Sequence, residues 1–150
     1  MKIALGSDHA GYELKEAVAR YLSGLKVDFV DFGSRPGETA DYVDYAAAAC
    51  RAVLGGDCDR AIVFCGTGIG VSMAANKFPG ILATVCWDHG TADVSRRHNN
   101  SNCLCLGGRV LDNATALDIV RVWIETPFEG GRHARRLAKI ADIEKEFRGS

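Results

Sequence analysis

The 150-residue sequence has almost no excess of charge of either sign. Its 18 lysine and arginine residues and 19 aspartate and glutamate residues give a formal net charge of −1. A balance this close provides no protein-wide electric field that could attract nucleic acid or an anionic membrane. We therefore expect neither nucleic acid nor a membrane as a partner, and any recognition of an anion must depend on local clusters of residues.

Long apolar segments are missing as well. No run in the sequence approaches the roughly 18 consecutive apolar residues of a membrane-spanning helix. The first residues, Met1-Lys2-Ile3-Ala4-Leu5, have the pattern of a strand and lack the features of a secretory signal peptide. We therefore expect a soluble, cytoplasmic protein whose six cysteines stay reduced.

The sequence also lacks the spacings that are typical of metal sites. It contains no Cys-x-x-Cys pair and no His-x-x-x-His pair. Cys103 and Cys105 are two residues apart, which in a strand places both side chains on one face. The sequence predicts no metal site. There is no repeat, linker or low-complexity segment either, and the length suits one domain over residues 1–150.

What the sequence does contain is an alternation of short strand-like segments and longer amphipathic ones. This alternation is typical of parallel βαβ units. It predicts a doubly wound, three-layer α/β/α sandwich with a five-stranded parallel sheet, in which the carboxyl ends of the strands carry the functional site. The predicted strands are 2–6, 26–31, 60–64, 81–86 and 102–106, and the predicted helices are 11–23, 41–54, 70–76, 91–98, 113–125 and 132–147.

The clearest chemical signal is the segment Cys65-Gly66-Thr67-Gly68-Ile69-Gly70, which follows an apolar strand and precedes a helical pattern. Three glycines let the backbone turn its N–H groups inward, and a helix that starts here adds a positive dipole end. Such a loop can bind a phosphate or an enediolate, and it favours the thiolate form of Cys65. A buried core cysteine beside an ordinary turn explains the loop equally well.

A nucleotide-binding loop is the main competing interpretation. A strand, a glycine loop and a helix are present, and Asp88 follows Gly68 at about the 20-residue interval of dinucleotide-binding units. The fingerprint Gly-x-Gly-x-x-Gly requires a glycine at position 71, however, and the chain has Val71. The phosphate-binding pattern that ends in Gly-Lys-Ser/Thr is absent too, so neither fingerprint fits.

A second signal is the basic segment 130–136. If it is helical, Arg132 and Arg136 lie one turn apart on the same face, a spacing that suits two fork-shaped donors gripping a phosphate. A basic face that is simply solvated explains the same spacing.

Two histidines and the pair Asp41-Tyr42 lie at predicted element boundaries. His9 follows the first predicted strand, and His98 ends the helix that precedes the fifth predicted strand. An imidazole can accept and donate a proton near neutral pH, as the opening of a sugar ring requires, although either histidine could be a capping or surface residue. Asp41-Tyr42 either caps a helix or binds a hydroxyl group.

Taken in order, these segments resemble the ribose-5-phosphate isomerase B family, which includes galactose-6-phosphate isomerase subunits. The resemblance covers residues 1 to about 145. The matching blocks are Gly6-Ser7-Asp8-His9-Ala10-Gly11, Asp41-Tyr42, residues 65–70 with Ala74-Ala75-Asn76-Lys77, Ser95-Arg96-Arg97-His98-Asn99-Asn100, Gly108-Arg109-Val110 and Gly130-Gly131-Arg132-His133.

The resemblance implies a Rossmann-like sandwich and an enzyme that interconverts an aldose phosphate and its ketose. It implies a homodimer with active sites built across the subunit interface, and it leaves open whether dimers join into a tetramer. A C-terminal helix at about 131–147 would pack at the dimer interface. The substrate would be a small-molecule sugar phosphate, and neither a metal nor an organic cofactor would be needed.

The resemblance also implies a role for each matching site residue. Cys65 would be the base that moves a proton between C1 and C2, and His98 would assist the opening of the furanose ring. The enediolate would be held by Thr67 and by the N–H groups of Gly66, Gly68, Ile69 and Gly70. Sugar hydroxyls would contact Asp8, Tyr42 and Asn99, and the phosphate would contact His9, Arg109, Arg132 and Arg136.

The sequence departs from the family pattern in two places that border the sugar. Val43 follows Asp41-Tyr42 where proline is common, and Trp87-Asp88-His89 is bulky. Val71 stands where the branch of the family that lacks the cysteine has glutamate, so this chain resembles the cysteine branch. The substrate thus stays open between ribose 5-phosphate and a six-carbon phosphate such as allose 6-phosphate or galactose 6-phosphate. A non-catalytic nucleotide-binding module is the alternative from another class.

Overall fold

The computed structural model describes residues 1–148, in which strands and helices alternate as predicted. None of the helices in this range is both long enough and apolar enough to cross a membrane. The strands are β1 Lys2–Ser7, β2 Asp28–Asp31, β3 Arg60–Cys65, β4 Ala83–Val85 and β5 Cys103–Gly107. The helices are α1 Tyr12–Gly24, α2 Tyr42–Leu54, α3 Ile69–Ala75, α4 His89–Arg97, α5 Asn113–Glu125 and α6 Arg132–Phe147.

The strands form one parallel sheet in the order β2-β1-β3-β5-β4. Leu5 in β1 pairs with Ile62 in β3, which in turn pairs with Leu104 in β5. The chain winds to one side of β1 to form β2, and then to the other side of β3 to form β5 and β4. The direction of winding therefore reverses between β1 and β3, which is where ligands bind in open parallel sheets.

Side chains that alternate along the strands pack against two helix layers. Leu5, Ile62 and Phe64 are fully buried on one face, where α1, α4 and α5 cover the sheet. Val63 and Cys105 are fully buried on the other face, under α2 and α3. The five-stranded parallel sheet and the three-layer α/β/α sandwich predicted from the sequence are confirmed.

All six cysteines are free and buried. Cys103 and Cys105 lie on the same face of β5, as their spacing predicts. A side-chain hydrogen bond with Cys103 raises the pKa of Cys50, and burial raises the pKa of Cys86. These raised values keep Cys50 and Cys86 neutral, so both thiols act as small apolar residues in the core.

Helix α6 lies outside the sandwich. His133 is its one buried residue in the part of the chain that the structure describes. Ile140 and Ile143 are 43% and 59% exposed, although their spacing gives the helix an apolar face. Farther along, the carboxylate of Glu144 accepts a hydrogen bond from the backbone N–H of Gly80 at 3.2 Å. The apolar face of α6 is therefore open along its middle.

Candidate active site

The loops that follow β3 and β5 are joined by backbone hydrogen bonds at the carboxyl edge of the sheet. The N–H of Gly108 donates to the carbonyl oxygen of Cys65 at 2.8 Å, and the N–H of Arg109 donates to that of Gly66 at 2.9 Å. The two loops therefore form one rigid floor beside the point where the winding of the sheet reverses.

Glycines make this close approach possible. A Cβ atom on Gly107 would lie 2.6 Å from the carbonyl carbon of Thr67, and one on Gly11 would lie 2.6 Å from the Cβ of Phe64. Separations this short are not compatible with a side chain, because backbone atoms cannot move aside. The loops after β1, β3 and β5 are thus packed main chain to main chain.

Cys65 is the last residue of β3 and is 4% exposed. Its Sγ accepts a hydrogen bond from the backbone N–H of Gly68 at 3.1 Å. Gly68 has a φ of 83°, a left-handed conformation that glycine adopts without strain. An N–H group this close is positioned to stabilise negative charge on the sulfur.

The other backbone donors of this loop are only partly available. The N–H of Ile69 donates to the Oγ1 of Thr67 at 3.2 Å. Gly68 and Ile69, two of the donors expected to hold an enediolate, therefore already donate within the loop. An incoming oxyanion would replace these bonds or use the N–H groups of Gly66 and Gly70. Helix α3, which follows the loop, is only about two turns long, so its dipole adds little positive potential at the loop.

Tyr42 and Arg109 border the loop on either side. A Cβ on Gly70 would lie 2.8 Å from the ring of Tyr42, and one on Gly66 would lie 3.3 Å from the Cδ of Arg109. Both residues are exposed. Asp41 occupies the N-cap position of α2, but within residues 1–148 its carboxylate accepts no capping hydrogen bond.

Asp8 and His9 follow β1 at the same edge. Asp8 is 8% exposed, and its Oδ1 accepts a hydrogen bond from the N–H of Gly11 at 2.9 Å, which fixes the direction of its carboxylate. His9 is exposed. The structure therefore brings together the Cys65 loop, Asp8, His9, Tyr42 and Arg109.

The structure does not bring His98 and Asn99 to this edge. Helix α4 starts at the carboxyl end of β4 and returns to the amino end of the sheet, where His98 is its C-cap residue. Cys65 pairs with Gly107, the last residue of β5. The two edges are separated by the length of β5, which is about 13 Å at the usual rise per strand residue. Within one copy of the chain, Cys65 and His98 therefore face different regions.

His133 contacts His98 and is the residue that the sequence patterns missed. The two rings are stacked, with centroids 4.2 Å apart and an interplanar angle of 12°. Gly130 and Gly131, with φ values of 70° and 57°, form the turn that leads into α6 and directs His133 back toward His98. The paired glycines just before Arg132-His133 were the available signal.

A network of charged side chains ties this turn to the end of α4. The guanidinium of Arg97 donates to Glu129 at 2.8 Å and to Asp93 at 2.7 Å. The N–H of Glu129 also donates to the carbonyl oxygen of Arg97 at 3.0 Å. The hydrogen bond from Arg97 lowers the pKa of each carboxyl group below its usual value, so both stay ionised near neutral pH.

Ligand atoms of His98, Glu129 and His133 lie within 4.8 Å of one another, close enough to consider a metal ion. The electrostatic surroundings oppose a cation, because Arg97 already binds a carboxylate oxygen of Glu129. Burial lowers the pKa of His133, and interaction with His98, Arg132 and Arg136 acts in the same direction, whereas the carboxylate of Glu129 opposes the shift. This region therefore suits an anion better than a divalent cation.

Arg132 and Arg136 are exposed and lie one turn apart at the start of α6. They share the amino edge with His98 and Asn99. The residues singled out in the sequence thus form two groups, one around Cys65 and one around His98.

Comparison with known proteins agrees with the resemblance in the motifs. The family model described as Ribose/Galactose Isomerase matches residues 3–140. Ribose-5-phosphate isomerase B of Escherichia coli (strain K12) is 44% identical over 144 residues, which are 96% of this chain and 97% of that protein.

Solved structures give the same result. Ribose-5-phosphate isomerase B of Clostridium thermocellum superposes with a TM-score of 0.96 at 50% identity, covering 98% of this chain and 99% of that chain. The Mycoplasma genitalium enzyme with bound ribulose-5-phosphate superposes with a TM-score of 0.92 at 39% identity, covering 97% of both chains. The chain therefore belongs to the Ribose/Galactose Isomerase family.

Proposed function

We propose that this chain is an aldose–ketose isomerase that interconverts ribose 5-phosphate and ribulose 5-phosphate, with Cys65 as the base. One observation carries the proposal: Cys65 lies where the winding of the sheet reverses, with the N–H of Gly68 3.1 Å from its sulfur. The names of the Escherichia coli and Clostridium thermocellum relatives support ribose 5-phosphate as substrate, and the ribulose-5-phosphate held by the Mycoplasma genitalium relative supports the product.

The proposed reaction starts from the open-chain aldose. The thiolate of Cys65 removes the proton from C2, and the electron pair forms the C1–C2 double bond while the aldehyde oxygen becomes negative. Thr67 and the N–H groups of the glycine loop stabilise this enediolate. The proton on O2 then passes to O1, and as the C2 ketone forms the thiol returns its proton to C1, which leaves a hydroxyl group on C1 and restores the thiolate. The chemistry needs no added metal or organic cofactor.

The remaining residues come from a second copy in this proposal. His98, Asn99, Arg132 and Arg136 lie at the other edge of the sheet, so a substrate on Cys65 would meet them only on a partner chain. A two-fold dimer that places the amino edge of one copy against the carboxyl edge of the other creates two equivalent sites. The exposed Ile140 and Ile143 of α6 supply apolar surface for such an interface.

In the assembled site, His98 would assist furanose opening, and Asp8, Tyr42 and Asn99 would bind sugar hydroxyls. The phosphate would be held by His9 and Arg109 of one copy and by Arg132 and Arg136 of the other. The proposal treats residues 1–150 as one isomerase domain, with helix α6 at the dimer interface, and places the enzyme in the cytoplasm.

The test is an assay of the purified protein with ribose 5-phosphate, allose 6-phosphate and galactose 6-phosphate. We expect the highest kcat/KM with ribose 5-phosphate, and a higher value with a six-carbon phosphate would favour that alternative substrate. Replacing Cys65 with alanine should lower turnover by about 10²- to 10⁴-fold, the usual contribution of a positioned base. Cys58→Ala, which removes a buried thiol away from the loop, is the matched control. Normal turnover by Cys65→Ala would contradict the proposal.

A further inference from the structure

The contact between His98 and His133 joins a partly exposed helix end to a buried ring. His98 follows the last turn of α4, and its backbone N–H donates to the carbonyl oxygen of Val94 at 2.9 Å. Side chains at a helix end that faces solvent are usually free to rotate. Here one face of the His98 imidazole lies against the ring of His133, which is 6% exposed. The buried ring limits the orientations that His98 can take.

The backbone on the amino-terminal side of this buried ring is held in place. The backbone N–H of His133 donates to the carbonyl oxygen of Gly130 at 3.1 Å. The turn before it is held by the ion pair between Arg97 and Glu129, whose atoms are 2.8 Å apart. Arg97 directly precedes His98 in the chain. The ion pair that holds the turn before His133 is therefore made by the residue next to His98, on which His133 stacks.

We infer that His133 is a positioning residue: its stacked ring holds the imidazole of His98 in the direction needed for proton transfer to the furanose ring. The inference rests on the proposed function, in which His98 opens that ring. A group that transfers a proton must lie within hydrogen-bond reach of the reacting oxygen, and small errors in its placement reduce the rate strongly. His133 does not need to touch the substrate to have this effect.

The two sugars of the proposed reaction allow ring opening to be measured apart from proton transfer between carbons. Ribose 5-phosphate is mainly a closed furanose and must be opened. Ribulose 5-phosphate stays open, because its C5 oxygen carries the phosphate and cannot close a five-membered ring on the C2 ketone. Exchange of its C1 hydrogen with deuterium from solvent therefore requires Cys65 but no ring opening.

The experiment compares both activities in His133→Ala. We expect kcat/KM for ribose 5-phosphate to fall by about 10- to 100-fold, while the rate of C1 exchange in ribulose 5-phosphate stays within about twofold. His133→Phe, which keeps an aromatic ring on His98, should recover most of the loss. Arg135→Ala, on the exposed side of the same helix, is the control and should leave both rates unchanged.

A double variant sharpens the result. If His133 acts through His98, adding His133→Ala to His98→Asn should produce little further loss, since the two residues contribute one effect. Equal loss of isomerisation and exchange in His133→Ala, or a failure of His133→Phe to recover activity, would overturn the positioning role. An absence of isomerisation by the unmodified enzyme would instead overturn the proposed function, so the two failures are distinguishable.

Discussion

The two edges of the sheet carry functional residues in different ways. At the carboxyl edge, the Cys65 loop is held by backbone hydrogen bonds and by glycines that permit contact between main chains. At the amino edge, His98 is held by side chains, through the ring of His133 and the ion pairs of Arg97. Both edges join segments that are distant in sequence, but the first joins them through main-chain contacts and the second through side-chain contacts.

This difference has a consequence for substitutions. A change in the backbone at the carboxyl edge should disturb every step of the proposed reaction, because the loops share one packed floor. A change in the side chain of His133 at the amino edge should affect only the step in which His98 takes part. The contrast can be tested by measuring isomerisation and C1 exchange side by side.

Of the substitutions that leave the proposed reacting groups in place, Gly107→Ala at the carboxyl edge is expected to have the largest effect. The new Cβ would lie 2.6 Å from the carbonyl carbon of Thr67 and 2.7 Å from its oxygen, so the Cys65 loop must shift. We expect both isomerisation and C1 exchange to fall by about 100-fold, the loss that a displacement near 1 Å can cause. Overpacking of this kind should also lower the free energy of unfolding by about 1–3 kcal/mol.

Gly24→Ala is the matched control for this substitution. Gly24 ends α1, and among the described residues no atom outside its immediate neighbours lies within 4 Å of a Cβ built there. Both rates should be unchanged in this variant. If Gly107→Ala reduced isomerisation and left C1 exchange intact, the carboxyl edge would not be the single rigid unit described above.

A smaller effect is expected from pH at the amino edge. Burial lowers the pKa of His133 from its ordinary value of 6.5, so the folded state favours the neutral ring. Its contribution to stability is therefore complete above about pH 6.5 and decreases as the pH falls through the lower folded-state value. The pKa of Glu129 is also lowered, from 4.5, so this carboxylate stays ionised at pH 5 and above.

The measurement is the free energy of unfolding of the unmodified protein and of His133→Phe between about pH 7.5 and pH 5, a range that spans the titration of an unfolded histidine. The unmodified protein should lose more stability on acidification than the variant, which has no group to protonate at this position. Parallel curves would show that His133 does not resist protonation in the folded state.

Much of the fold could be predicted from sequence because its signals are local. The apolar runs and amphipathic segments located each strand and helix, and the parallel sheet followed from their alternation. The Cys65 loop could be identified as well, since three glycines in six residues after a strand predict a tight backbone turn.

The arrangement at the amino edge could not be predicted in the same way. His133 lies 35 positions after His98, and their contact depends on the course of α5 and on the turn at Gly130-Gly131. The separation of His98 from Cys65 likewise follows from the direction in which α4 returns across the sheet. Spacing along the chain carries no information about either relation, because both are set by tertiary structure.

The most direct test of the shared site is a heterodimer of two variants, Cys65→Ala and His98→Asn, each of which should have little activity alone. Coexpression with different affinity tags allows the mixed dimer to be purified. If each site combines Cys65 of one copy with His98 of the other, the mixed dimer has one intact site and one doubly altered site, and should recover about half of the unmodified activity. If both residues act within one copy, each site of the mixed dimer carries one defect. Activity no higher than that of the single variants would then contradict the account.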